Sequence, residues 1–303
     1  MSPTTTTTRK KITDLLDGAF LARLDGLDVV SRKMLQGKMQ GERRSKRRGE
    51  GVEFADHRPY VVGDDLRFVD WNIFARLDVL FLRLFLEEQD LSVHVMYDLS
   101  ASMDYGNPTK ADTVRKLAAA LAYVGIVNNN RVTVSRFGDG LAGQLANMRG
   151  RSYTHQLAEF LLTGEPGGVS DFDKACRQVV NSRTGRGVMV VLSDFLFKNG
   201  FDQGLRRLIS RQYDLFVIQT LSPQELEPEL TGDLKLVDME DGDQAEITIS
   251  GPLLKYYKKN LAAYCNELKD FCSHRGARYL LAKTSDNTEV VVLNALRRGG
   301  LLT

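Results

Sequence analysis

The chain has 303 residues, 43% of them hydrophobic and 26% charged, with a formal net charge of +2. That length builds one large domain or two smaller ones, and the composition is that of an ordinary soluble protein. The near-neutral balance excludes a chain-wide polyanion binder, and no run of about 18 apolar residues is present to cross a membrane.

The first residues, MSPTTTTTRKK, lack the apolar core of a secretory leader and read as a disordered polar tail over 1–9, so the expected location is the cytoplasm. The three cysteines, Cys176, Cys265 and Cys272, make no CxxC pair, and their odd number argues against a disulfide framework.

Residues 10–90 are expected to form an N-terminal segment of helices, a basic loop and short strands. ITDLLDGAFLARLDGLDVVSRKMLQG carries leucines near helical spacing, broken at Gly18, Gly26 and Gly37. GERRSKRRGE then gathers Arg43, Arg44, Lys46, Arg47 and Arg48 between two glycines, which predicts a loop. Its charge is either simply solvated or a contact for a partner. Without interleaved aromatics or a helix-turn-helix pattern, nucleic acid is the weaker choice and a protein partner the preferred one.

In EFADHRPYVVGDDLRFVDWNIFAR, Asp64, Asp65 and Asp70 alternate with Arg58, Arg67 and Arg76 around Trp71. The planar guanidinium pairs with carboxylates at two points, so these residues are read as a structural ion-pair motif pinning the segment to the neighbouring domain. VLFLRLFLEEQD follows, with Leu80, Leu82, Leu84 and Leu86 at the period of two expected of a strand.

From 91 to 303 the texture becomes strand–helix alternation. LSVHVMYDL, RVTVSRFG, GVMVVLSD, YDLFVIQTLS and ARYLLAK read as strands, with a further short one at GLAGQLA. Helical segments fall between most of them, and DLKLVDMEDGDQAEITIS reads as a β-hairpin inserted near 233–250. Such alternation predicts an α/β fold, a doubly wound and mostly parallel sheet with helices on both faces.

The chemistry-bearing stretch is VHVMYDLSASMDYG. Asp98, Ser100 and Ser102 place three oxygens at alternate positions at the carboxyl end of the first strand of this section, the edge where open α/β sheets bind ligands. One carboxylate with neutral hydroxyls suits a hard cation, Mg²⁺ or Mn²⁺. Two other strand-end segments carry oxygens: GGVSDF offers Ser170 and Asp171, and VMVVLSDF ends in Ser193 and Asp194.

This arrangement resembles the von Willebrand factor A domain and its metal-ion-dependent adhesion site, an Asp-x-Ser-x-Ser followed by a Thr and an Asp on two further loops. Asp98, Ser100 and Ser102 match the first element and Asp194 the third. Ser170 stands where the family has Thr, with Asp171 as the neighbouring alternative. The resemblance implies a binding module whose metal is completed by an acidic side chain of a partner surface.

A second resemblance is longer. EF…R.Y..GDD.R..DW…AR before DLSASM, the later LSPQELEPEL…G and the terminal LRRGGLL resemble the bacterial domain-of-unknown-function family fifty-eight, from about residue 10 onward. That resemblance implies a partnership with a MoxR-type AAA+ ATPase in chaperone-like maturation or assembly of other proteins, and a non-enzymatic adaptor role.

Two rivals stand beside it. A metal-dependent phosphoester hydrolase would draw on Asp98, Asp171 and Asp194, but the two neutral serines supply little negative charge for a two-metal site. A domain that has lost its metal would bind through shape and charge alone. GxSxG and P-loop motifs are absent, and none of the four histidines stands in a pattern that pairs with serine.

Overall fold

The computed structural model describes residues 11–31, 52–87, 91–182, 187–211, 213–229, 232–240 and 242–303. They divide between two compact units, one within Met1–Gly37 and Leu91–Thr303, the other within Lys38–Asp90. The basic block Arg43, Arg44, Lys46, Arg47 and Arg48, and Gly37, lie outside the described residues.

Helix α1 (Gly18–Leu24) opens the larger unit. Asp17 caps it by accepting the Phe20 amide, so Gly18 begins a helix where the sequence had marked a break. Phe20, Leu24, Leu27 and Val29 are buried in the same core as Leu117, Leu121 and Val124.

The smaller unit pairs β1 (Val52–Pro59) with β2 (Phe81–Glu87), antiparallel. Between them lies α2 (Trp71–Leu77). Asp70 fixes its start: Oδ1 accepts the amides of Asn72 and Ile73, and Oδ2 lies 3.0 Å from His57 Nε2. Arg58 meets Asp64 at 2.7 Å and Arg67 meets Asp65 at 2.5 Å, so these pairs close within the unit. Trp71 is exposed and packs edge-on against Phe74, and Arg76 is exposed in the last turn of α2.

The main sheet has six strands: β3 (Ser92–Asp98), β4 (Arg131–Gly138), β5 (Gly140–Met148), β6 (Gly187–Ser193), β7 (Asp214–Leu221) and β10 (Arg278–Lys283). Their order is β10-β7-β6-β3-β4-β5, parallel throughout except for β5, which runs antiparallel beside β4. This is the doubly wound α/β architecture expected from the sequence. The hairpin is present too, as a separate two-stranded sheet of β8 (Gly232–Val237) and β9 (Gln244–Ile249).

Period-two alternation divides the interior into two cores. Val93, Val95 and Tyr97 of β3, with Val188, Val190 and Leu192 of β6, face α3 (Lys110–Val127) and α4 (Thr154–Leu162). Met96, Met189 and Val191 face the other way, toward α5 (Phe172–Asn181), α6 (Asp202–Ser210) and the long α8 (Gly251–His274). The short α7 (Pro223–Leu226) follows β7. The last helical segment starts at Thr288–Val290 as α9 and continues as a π-helical Val291–Leu296. Cys176 and Cys272 are buried free thiols, and Cys265 is half-buried and also free. Among the described residues no helix is long and apolar enough to cross a membrane.

Gly187 shows how tightly β6 enters the sheet beside β3. A Cβ there would fall 1.9 Å from the Ser92 carbonyl oxygen. Gly187→Ala is therefore expected to push the two strands apart at their first paired position and cost roughly 1–3 kcal/mol, read as a lower urea midpoint.

Candidate functional site

The sheet order places β3 and β6 side by side, while the chain leaves β3 for β4 on one side and later returns to β6 on the other. The carboxyl ends of β3 and β6 therefore meet at the topological switch point, the usual ligand crevice of this architecture. Asp98 closes β3 and Ser193 closes β6. Both are fully buried, and Ser193 Oγ donates to Asp98 Oδ2 at 2.8 Å.

The first loop is folded by its own aspartate. Asp98 Oδ1 accepts the Ser100 amide at 2.9 Å, which turns the chain into a 3₁₀ helix over Ala101–Asp104. Ser100 stands at the cap of that turn but makes no capping bond with its side chain. Its hydroxyl instead lies 3.1 Å from that of Ser102, so the two converge.

The second loop is clipped to the first by two backbone bonds, Ala101 N–H to Gly168 O and Gly167 N–H to Leu99 O, both 3.0 Å. Gly168 sits at φ +73°, a conformation that suits glycine. Beyond it, Ser170 Oγ is buried without a hydrogen-bond partner. The neighbouring Asp171 caps α5 by accepting the Lys174 amide at 2.8 Å.

The third loop begins with Asp194, 2% exposed. Its Oδ1 accepts the Leu196 amide, and its Oδ2 takes a 2.7 Å bond from Lys110 Nζ. Phe195 sits at φ +58°, unusual for a bulky side chain, and is held there by Tyr264 Oη donating to its carbonyl at 2.6 Å. The side chains of Phe137, Phe172, Phe195 and Phe197 pack together beneath the loops, Phe172 and Phe197 stacked at 4.9 Å.

Lys110 was missed in the sequence. It is the first residue of α3, a position that reads as solvated, yet it is 1% exposed and bridges Asp194 to Glu225 Oε1 at 2.5 Å. A cation at a helix N-terminus opposes the helix dipole, and that was the only signal available. Glu225 is set by a capping box with Ser222 at the start of α7. Burial works against the Lys110 ammonium, but Asp194 and Glu225 outweigh it and raise its pKa.

Charge is not balanced here. Burial, then the nearby Asp194 carboxylate, push Asp98 up to about pKa 7. Asp194 and Glu225 against Lys110 leave one formal negative charge in excess, and ionisation of Asp98 adds a second. A divalent cation favours the ionised Asp98, and the buried, unpartnered Ser170 hydroxyl and the converging serines are oxygens of the kind it takes. Among the described residues there is no group of three or more His, Cys, Asp or Glu able to hold a metal, so any cation here would rest on serine hydroxyls as much as on carboxylates.

The family described as Protein of unknown function DUF58 matches residues 56–265. The chain belongs to the DUF58 family. An uncharacterized protein of Mycobacterium tuberculosis is 27% identical over 296 residues, covering 95% of this DUF58 chain and 93% of its own. Among solved structures, BatB from Bacteroides thetaiotaomicron is similar with TM-score 0.41 and 12% identity, covering 69% of this chain and 98% of BatB. Manganese-loaded TRAP protein of Plasmodium vivax is similar with TM-score 0.38 and 14% identity, covering 71% of this chain and 74% of TRAP.

Proposed function

We propose that this DUF58 protein is a non-enzymatic protein-interaction module whose switch-point site holds one divalent cation, Mg²⁺ or Mn²⁺, and accepts a carboxylate from an acidic partner surface. The observation that carries the reading is the pair of converging hydroxyls of Ser100 and Ser102 beside the buried Asp98, with the Ser170 hydroxyl buried and without a hydrogen-bond partner. Asp98, Ser100, Ser102 and Ser170 would hold the ion, with Asp194 shared with Lys110. The cation would neutralise the carboxylates and attract a further acidic group. We include in the proposal a cytoplasmic MoxR-type AAA+ ATPase as the partner in maturation or assembly of other proteins. The basic block Arg43, Arg44, Lys46, Arg47 and Arg48 is proposed as a second, electrostatic contact.

One observation favours the metal-free reading. Lys110 Nζ already sits on Asp194, so part of the charge is met by an ammonium built into the chain. Calorimetric titration with Mg²⁺ and Mn²⁺ separates the two. The metal reading expects one-to-one binding that Ser102→Ala weakens by roughly tenfold or more. Absence of binding to the wild type, both alone and with the ATPase present, would leave the metal-free module as the surviving reading.

A further inference from the structure

Exposed apolar side chains gather at one end of the larger unit. Among its described residues eight large hydrophobic side chains are exposed, and all eight lie on segments at the carboxyl edge of the main sheet. The described residues of the connections that enter β4, β6, β7 and β10 at their amino ends expose none. Single apolar side chains scattered over a surface are ordinary, but a group confined to one end marks a surface that another molecule covers.

Each of the three site loops contributes one. The Tyr105 ring lies 6.0 Å from Lys110 Nζ, Val169 stands between Gly168 and Ser170, and the Leu196 amide is bound by Asp194 Oδ1. The hairpin adds Met239, which is held over the second and third loops from both sides. Its neighbour Glu240 accepts the Ser170 amide at 3.2 Å, and its neighbour Asp238 pairs with Lys198 at 2.9 Å. Helix α8 adds Tyr256 and Tyr257, and Tyr257 lies within electrostatic reach of Glu225 and Tyr105. The apolar groups therefore ring the switch-point site.

Charge is divided around this ring. None of the first ten residues of α8 is buried, and they include Lys255, Lys258 and Lys259 at the spacing of one helix stripe. These lysines have no ion-pair partner among the described residues, and no acidic residue lies between Gly251 and Leu261. The hairpin has the opposite sign, with Asp233, Asp238, Glu240, Asp243 and Glu246 against Lys235 among its described residues.

We infer that this edge receives a short segment of a protein partner, whose large apolar side chains rest on the ring and whose Asp or Glu lies against the lysine stripe of α8. The inference rests on the reading of the protein as an interaction module with an acidic partner, and not on the ion. A membrane surface or an extended nucleic acid would also answer lysines and tyrosines. Either would lay its anionic charge across the acidic hairpin as well, whereas a short segment meets the lysines alone.

The test pans random phage-displayed peptides against the full chain and measures the enriched peptides by fluorescence anisotropy. Vesicles of phosphatidylcholine with phosphatidylserine, and oligo(dT), are run beside them. Enriched peptides are expected to carry an Asp or Glu close to a Leu, Phe or Tyr. Leu196→Ser and Met239→Ser, both with unchanged unfolding midpoints, should each weaken such a peptide by roughly tenfold or more. Changing the acidic residue of the peptide to its amide should weaken binding to the wild type and not to Lys258→Glu with Lys259→Glu. Lys269→Ala, on the far half of α8, should leave binding unchanged.

Peptides that bind Leu196→Ser and Met239→Ser as tightly as the wild type would overturn the inference, and so would a selection that yields no binder. Vesicles or oligo(dT) held through the same residues, with no peptide bound, would replace the protein segment by a lipid surface or a nucleic acid. The titration of Ser102→Ala with Mn²⁺ reads the ion separately, so failure of the metal reading and failure of this surface are told apart.

Discussion

Asp98→Asn is expected to remove much of the loss of stability that the metal-free protein suffers between about pH 4 and pH 7. In the folded protein burial and Asp194 raise Asp98 to about pKa 7, above the unfolded carboxylate value. The folded state therefore holds a proton that the unfolded state releases. The associated stability is full below about pH 4 and is lost as pH rises through about 7. For a fully buried group this amounts to roughly a few kcal/mol.

Urea unfolding of wild type and Asp98→Asn across that range, without divalent ions, reads the difference directly. A wild-type curve that runs parallel to that of Asp98→Asn would show that Asp98 is ionised at little cost. Under the metal reading, saturating Mg²⁺ should flatten the wild-type slope and leave Asp98→Asn unchanged, since the ion keeps the carboxylate charged.

Lys110→Met is expected to be the most damaging single change near the site, at about 3–5 kcal/mol, because it strands two carboxylates beside a buried apolar side chain. Asp194 loses the bond to its Oδ2, and Glu225 loses its 2.5 Å partner. Lys110→Met combined with Asp194→Asn should recover a substantial part, since a neutral amide costs far less to bury than an unpaired charge. Equilibrium unfolding of the two single variants and the double variant at pH 7 gives the coupling. A loss below about 1 kcal/mol in Lys110→Met would mean that the ammonium does not neutralise Asp194. The metal reading adds a second result: this variant should become more dependent on Mg²⁺ for stability.

Much of the sheet was legible because its strands are short, apolar and bounded. GVMVVLS is buried at every position, as a central parallel strand must be, and EDGD between two alternating runs marks a hairpin. Asp98, Ser100 and Ser102 could be singled out because their spacing is local. Sequence left Ser170 and Asp171 open as the second-loop oxygen. The structure gives Asp171 to the cap of α5 and buries the Ser170 hydroxyl, a distinction set by where a helix begins.

Lys110 and Glu225 were not legible, because each acts across long sequence distance. Lys110 is 84 positions from Asp194 and 115 from Glu225. In the string each is an ordinary surface charge at a helix start or a turn. The π-helical turn over Val291–Leu296 is a geometry that no periodicity in so short a segment encodes.

The four phenylalanines under the loops bear on any attempt to move this site to another protein. Phe137 is next to last in β4, Phe172 opens α5 two residues after Ser170, and Phe195 and Phe197 follow Asp194, so each of three separate chain segments contributes to one aromatic footing. Grafting the string DLSAS onto a foreign strand would carry the oxygens without the floor that spaces them. A transplant that works should need all four rings as well, and truncating any one of them in the native chain should loosen several loops together.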